Sequence, residues 1–121
     1  MENFAVQYIP DEGIIRLQLH GEIDAQMLSM ATSKLVEEIS RWNCNRLLMD
    51  HREAKLDISV SEIFDRPMIA SKLGVPLSSR IAIIYSTRES DYRFVETAGR
   101  NRGFNIKVFT DIDEGIKWLK R

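Results

Sequence analysis

The chain has 121 residues, 44% of them hydrophobic and 29% charged, with 17 lysines and arginines against 18 aspartates and glutamates. That length and balance suit one folded domain with its own core. The formal net charge of -1 argues against a protein built mainly to grip nucleic acid, which needs a basic field to displace counterions.

Phe4 to Ile9 and Ile14 to Leu19 are β-rich runs separated by Pro10-Asp11-Glu12-Gly13. Proline at the start and glycine at the end of a four-residue link predict a hairpin, with Gly13 at positive φ. Asp24 is placed to N-cap a helix running to about Arg41. Leu28, Ala31, Leu35, Ile39 and Trp42 form its apolar stripe, and Gln26, Ser29, Ser33, Glu37 and Arg41 lie opposite. Arg46 to Asp50 reads as a buried strand that runs straight into the charged cluster Asp50-His51-Arg52-Glu53.

Ser59-Val60-Ser61-Glu62 fits a capping box opening a second helix towards Leu73, with Gly74 to end it. Pro67 inside that stretch predicts a kink or a division into two helices. "IAIIY", Ile81 to Tyr85, is continuously apolar and belongs in the centre of a sheet covered on both faces. A third helix is expected from about Ser90 to Asn101, a fifth strand from Asn105 to Phe109, and a final helix opened by Asp111 and running through Trp118 and Leu119. The order ββαβαβαβα predicts a single α/β domain: a mixed, mostly parallel five-stranded sheet with four helices, the first strand alone antiparallel.

No apolar run approaches the roughly 18 residues of a membrane span. The N-terminal MENFAVQYIPDEG lacks the basic-then-apolar pattern of a secretory signal, and Cys44, the single cysteine, has no internal partner for a disulfide. A cytoplasmic location and the absence of any required cofactor are the corresponding expectations.

In such a sheet the parallel strands end along one rim, where α/β proteins commonly bind ligands. That rim is expected to gather His20, Gly21 and Glu22, then Asp50 to Arg52, then Ser86-Thr87-Arg88, and finally Thr110 and Asp111. His20, Asp50, Arg52, Asp57 and Arg88 are therefore the candidate binding edge, with Arg52 and Arg88 suited to hold a carboxylate or phosphate. Asp50 and Arg52 share a face if the strand persists to residue 52, and His51 then points the other way.

"RIAIIY" followed by "KVFTDIDEGIKWL", with the hairpin and the strand ending "LLMD", resembles the SpoIIAA-like proteins of the STAS group over essentially the whole chain. The antagonist branch of that group implies a non-enzymatic regulatory module whose partner is a protein, switched by phosphorylation of a serine opening the second helix. Here "LDISVSE" places Ser59 nearest that serine and Asp57 nearest its aspartate, without the serine–glycine step of the family's segment. Read from the residues alone, Ser59 is an N-cap.

A second reading is a carrier or sensor of a small apolar, lipid-like ligand held between the first two helices and the sheet. The resemblance brings it in through lipid carriers of related fold. Met27, Met30, Ile63, Phe64 and Met68 are the candidate lining, since methionine-rich surfaces adapt to varied apolar partners, and Pro67 should loosen the second helix. A remote third reading is an enzyme built on His20, Asp50 and His51. No metal spacing, Gly-x-Ser-x-Gly or phosphate-loop pattern supports it, so neither a metal nor catalysis is expected. Cys44 falls at the opposite end of the sheet from the rim. A homodimer through a sheet edge or helix face is a further expectation.

Overall fold

The computed structural model describes residues 3–86 and 92–121. Strands β1 (Phe4–Ile9) and β2 (Ile14–Ile23) form the expected hairpin. The carbonyl of Ile9 accepts from the N–H groups of Glu12 and Gly13, at 3.2 and 2.9 Å, and Gly13 sits at φ +65°. From there the chain alternates: α1 (Ala25–Trp42), β3 (Arg46–Leu56), α2 (Val60–Leu73), β4 (Arg80–Ile84), α3 (Tyr92–Asn101), β5 (Asn105–Phe109) and α4 (Ile112–Leu119). The strands lie side by side in sequence order, β1-β2-β3-β4-β5, antiparallel between β1 and β2 and parallel elsewhere.

Alternation along the strands sorts the core into two layers. Leu17, Leu19, Leu47, Ile81, Ile83 and Ile106 meet the α1 stripe of Leu28, Ala31, Leu35 and Ile39 on one face. On the other face Ile14, Leu48, Ala82 and Ile84 meet Trp118 and Leu119 of α4. Gly115 makes that second contact close: a Cβ there would lie 2.6 Å from Ile84 Cδ1. Helix α1 starts on Asp24, whose carboxylate accepts from Met27 N–H at 2.8 Å, and ends on Asn43 in the left-handed region at φ 48°.

Two expectations are corrected. Strand β2 continues to Ile23 and β3 to Leu56, so the Asp50–Glu53 cluster lies inside a strand and not beyond its end. Helix α2 is not divided in two at Pro67, which sits inside one continuous helix from Val60 to Leu73. The strands follow one another across the sheet in chain order, without a reversal. Helix α3 is described from Tyr92, and Ser90, where it was expected to start, lies outside the described residues.

Candidate functional site

The pairing of β2 with β3 slips at the cluster. Gln18 pairs with Asp50 and His20 with Glu53, so two steps along β2 match three along β3. The extra residue makes a β-bulge at His51–Arg52. A bulge frees backbone donors, and the Asp50 side chain takes one: Oδ1 accepts from Arg52 N–H at 3.2 Å. The same oxygen accepts from Arg52 Nε at 2.9 Å, and Oδ2 accepts from Arg52 Nη2 at 2.9 Å and Arg16 Nη2 at 2.6 Å. Asp50 is only 2% exposed. Burial by itself would raise its pKa, but the bonds from Arg52 and Arg16 outweigh that and bring it to about 2. Asp50 is ionised at neutral pH and latches the bulge.

The bulge also resets which residues face inward. Before it, Met49 and His51 point to the helical face; after it, Ala54 and Leu56 do so, although strict alternation from residue 49 would turn them outward. Met49, His51 and Leu56 thereby line one cavity of about 110 Å³ between β3–β5 and helices α1, α2 and α3. Leu28, Ile63, Ile81, Ile83, Phe104 and Ile106 supply most of its apolar wall, and Thr32, His51 and Arg66 its polar groups. Burial holds His51 neutral, with a pKa near 4 despite the opposing charge of Asp50. Arg66 donates to Ser29 Oγ at 2.9 Å and Thr32 Oγ1 at 3.2 Å, both on α1.

Helix α2 opens on the capping box read from the sequence. Ser59 Oγ accepts from Glu62 N–H at 3.2 Å, while Glu62 Oε1 accepts from Ser59 N–H at 2.9 Å and Ser59 Oγ at 3.0 Å. Bonds from the Ser59 backbone and then its hydroxyl lower the Glu62 pKa. Beside this exposed turn stand Val60 and Phe64, 49% and 38% exposed. The Phe64 ring meets that of Phe94 on α3, centroids 5.9 Å apart.

No protein-family model matches the sequence, and no curated protein does. Solved structures do match. One is an anti-sigma factor antagonist from Mycobacterium paratuberculosis, 16% identical with a TM-score of 0.65, the alignment covering 98% of this chain and 93% of that one. Another is SpoIIAA in its unphosphorylated form, at 13% identity and TM-score 0.58, covering 96% of both chains.

The fold is SpoIIAA-like. An uncharacterised DUF3478-family protein of that fold from Shewanella loihica PV-4 is similar too, at 18% identity and TM-score 0.58, covering 96% of this chain and 91% of that one.

In this SpoIIAA-like domain the expected binding-edge residues stand in different settings. His20 is exposed within β2, Asp50 and Arg52 form the bulge latch, and Asp57 is exposed just past β3. Arg88 lies outside the described residues. Nor do His20, Asp50 and His51 gather into a catalytic cluster: both Asp50 oxygens are engaged by arginines, and His51 faces the opposite side of the strand. Among the described residues no group of three or more potential ligands could hold a metal ion, and no helix is long and apolar enough to cross a membrane.

Of the expected cavity residues, Ile63 lines the space. Met27, Met30, Phe64 and Met68 do not: Met27 packs at the edge of the core, Met30 is 52% exposed, and Phe64 points to Phe94. Four steps from Ile63 along α2, Pro67 turns inward in their stead. Sequence reasoning missed Thr32, His51 and Arg66 as cavity residues. For Thr32 and Arg66 the signal was available, since they sit one residue beyond Ala31 of the α1 stripe and three residues beyond Ile63 of α2. His51 gave none, because its inward position depends on tertiary pairing.

Proposed function

We propose that this domain is a non-enzymatic regulatory module that binds a protein partner through the start of α2 and the adjoining α2–α3 surface. The observation that carries the reading is Ser59: an exposed hydroxyl, bonded into a capping box, beside the exposed apolar side chains of Val60 and Phe64. Apolar side chains grouped next to a chemically modifiable hydroxyl suit a switchable contact. The likeness to anti-sigma factor antagonists supports it at the level of fold.

The same geometry specifies how modification would act. A phosphate on Ser59 would add about two negative charges at physiological pH. Glu62 Oε1 lies 3.0 Å from the hydroxyl that would carry them. The phosphate would take over the free N–H groups of the first turn and expel the Glu62 side chain from its bond to Ser59 N–H. The effect is a local exchange of anions beside Val60 and Phe64, with no rearrangement of the sheet.

Photo-crosslinking from position 64, with the α1 surface position 37 as control, identifies the partner. Affinity is then measured for the unmodified chain, Ser59→Asp and Phe64→Ala. The reading requires Phe64→Ala to weaken binding and Ser59→Asp to change it at least fivefold. Equal affinity for all three chains refutes it.

The cavity favours a second reading, a sensor or carrier of a small apolar ligand. Its wall is formed by the inner face of the same α2 whose outer turn carries Ser59.

A further inference from the structure

Strand β5 ends the five-stranded sheet on one side and has β4 as its neighbour. An edge strand turns half of its backbone N–H and C=O groups away from the sheet, where they form a template for a further strand. The pairing tells which half. The Phe109 carbonyl accepts from Tyr85 N–H at 3.0 Å, on the β4 side. By alternation, Ile106 and Val108 direct their backbone groups outward. A strand added there would give an N–H to the Ile106 carbonyl and a carbonyl to the Val108 N–H.

Side chains of α3 already hold both of these groups. Arg100 Nε donates to the Ile106 carbonyl at 3.1 Å, and Glu96 Oε2 accepts from Val108 N–H at 2.8 Å. The two residues stand one helical turn apart and pair with each other, Arg100 Nη2 lying 3.6 Å from Glu96 Oε1. One donor and one acceptor are thus presented to β5 where a sixth strand would present its own. A partly exposed ion pair at this spacing adds little stability by itself. Its two backbone bonds are what set it apart.

Lys107, the exposed residue between Ile106 and Val108, reinforces the closure. If β5 pairs antiparallel with β5 of another copy through Ile106 and Val108, the two-fold axis falls between the Lys107 residues. Each Lys107 then faces its own copy, and like charges directly opposite are unfavourable. We infer that Glu96 and Arg100 close β5 against strand addition, and that the strand they exclude is β5 of a second copy of this chain. The choice of occupant has two grounds. Ile106, Val108 and Phe109 make Asn105–Phe109 a strand-forming run, and a two-fold contact engages both outward residues of each copy at once. This edge is distinct from the Ser59 turn and from the cavity under α2.

Sedimentation velocity over a concentration series compares Lys107→Thr with the same chain also carrying Glu96→Ala and Arg100→Ala, each checked for its fold by circular dichroism. The triple variant is expected to self-associate at least tenfold more tightly than Lys107→Thr. Amide hydrogen exchange locates the contact: at Ile106 and Val108 of the triple variant it should slow as concentration rises. Equal association of the two chains overturns the inference. So does association that leaves exchange at those two amides independent of concentration. If the triple variant does not fold, Glu96→Ala alone decides: Val108 should then exchange at least tenfold faster than in the unmodified chain, and an unchanged rate overturns the closure.

Discussion

Asp50→Asn isolates the bulge latch, because it removes one charge with almost no change in shape. Lowering a carboxyl from 3.8 to about 2 corresponds to about 2.4 kcal/mol in favour of the folded state at neutral pH. Arg16 and Arg52 keep part of their side chains in water, which screens the pairing and brings the expected loss to about 2 kcal/mol. Asparagine retains an oxygen for Arg52 N–H, so the bulge itself should survive; Asp50→Ala, which leaves that donor and both guanidiniums without it, should cost about 3 kcal/mol. For a domain of this size, 2 kcal/mol lowers Tm by roughly 8 °C.

The sign of the pH dependence follows from a depressed folded-state pKa. The latch contributes fully above the unfolded value of 3.8 and is lost as pH falls through about 2. Urea unfolding of both chains at pH 7, 5, 3 and 2, followed by far-ultraviolet circular dichroism, reads the difference directly. The gap between them should be constant from pH 7 to 5 and shrink towards zero at pH 2. A gap under 0.5 kcal/mol at pH 7, or one unchanged at pH 2, refutes the account of Asp50 as an ionised latch.

Three further outcomes are expected. His51, neutral in the fold with a pKa near 4 against an ordinary 6.5, should make the chain lose about 3 kcal/mol of stability between pH 6.5 and 4, as the unfolded state takes up a proton first. In His51→Phe the slope across that window should flatten, and NMR of the unmodified chain should show the His51 imidazole largely unprotonated above pH 5. Ser59→Ala should cost about 1 kcal/mol, with hydrogen exchange accelerated in the first turn of α2 and unchanged in α1. Gly74 ends α2 at φ +117°, and a Cβ there would meet Val36 Cγ1 at 3.0 Å; Gly74→Ala should cost about 1–2 kcal/mol in thermal unfolding.

The element order was readable because each signal is local. Leu28 to Ile39 recur at helical spacing, Ser59 and Glu62 stand three apart before an apolar residue, and Pro10 to Gly13 make a turn wherever they occur. Asp50 and Arg52 on one face, with His51 on the other, also followed from alternation alone. Pro67 did not divide α2, which runs on to Leu73.

What only tertiary structure decided turns on one residue of register. Nothing between Leu47 and Leu56 announces a bulge; it appears in the pairing with β2, just past Asp50, the last residue of β3 that pairs with β4. That single insertion hides Asp50 beneath two arginines from different strands and turns Leu56 inward beside Met49 and His51. Sheet order, likewise set by long-range pairing, placed β3–β5 under α1, α2 and α3 with a partly open space between them. Periodicity along a chain reports which face a residue prefers, but where faces are re-aimed or brought together is settled between strands far apart in sequence.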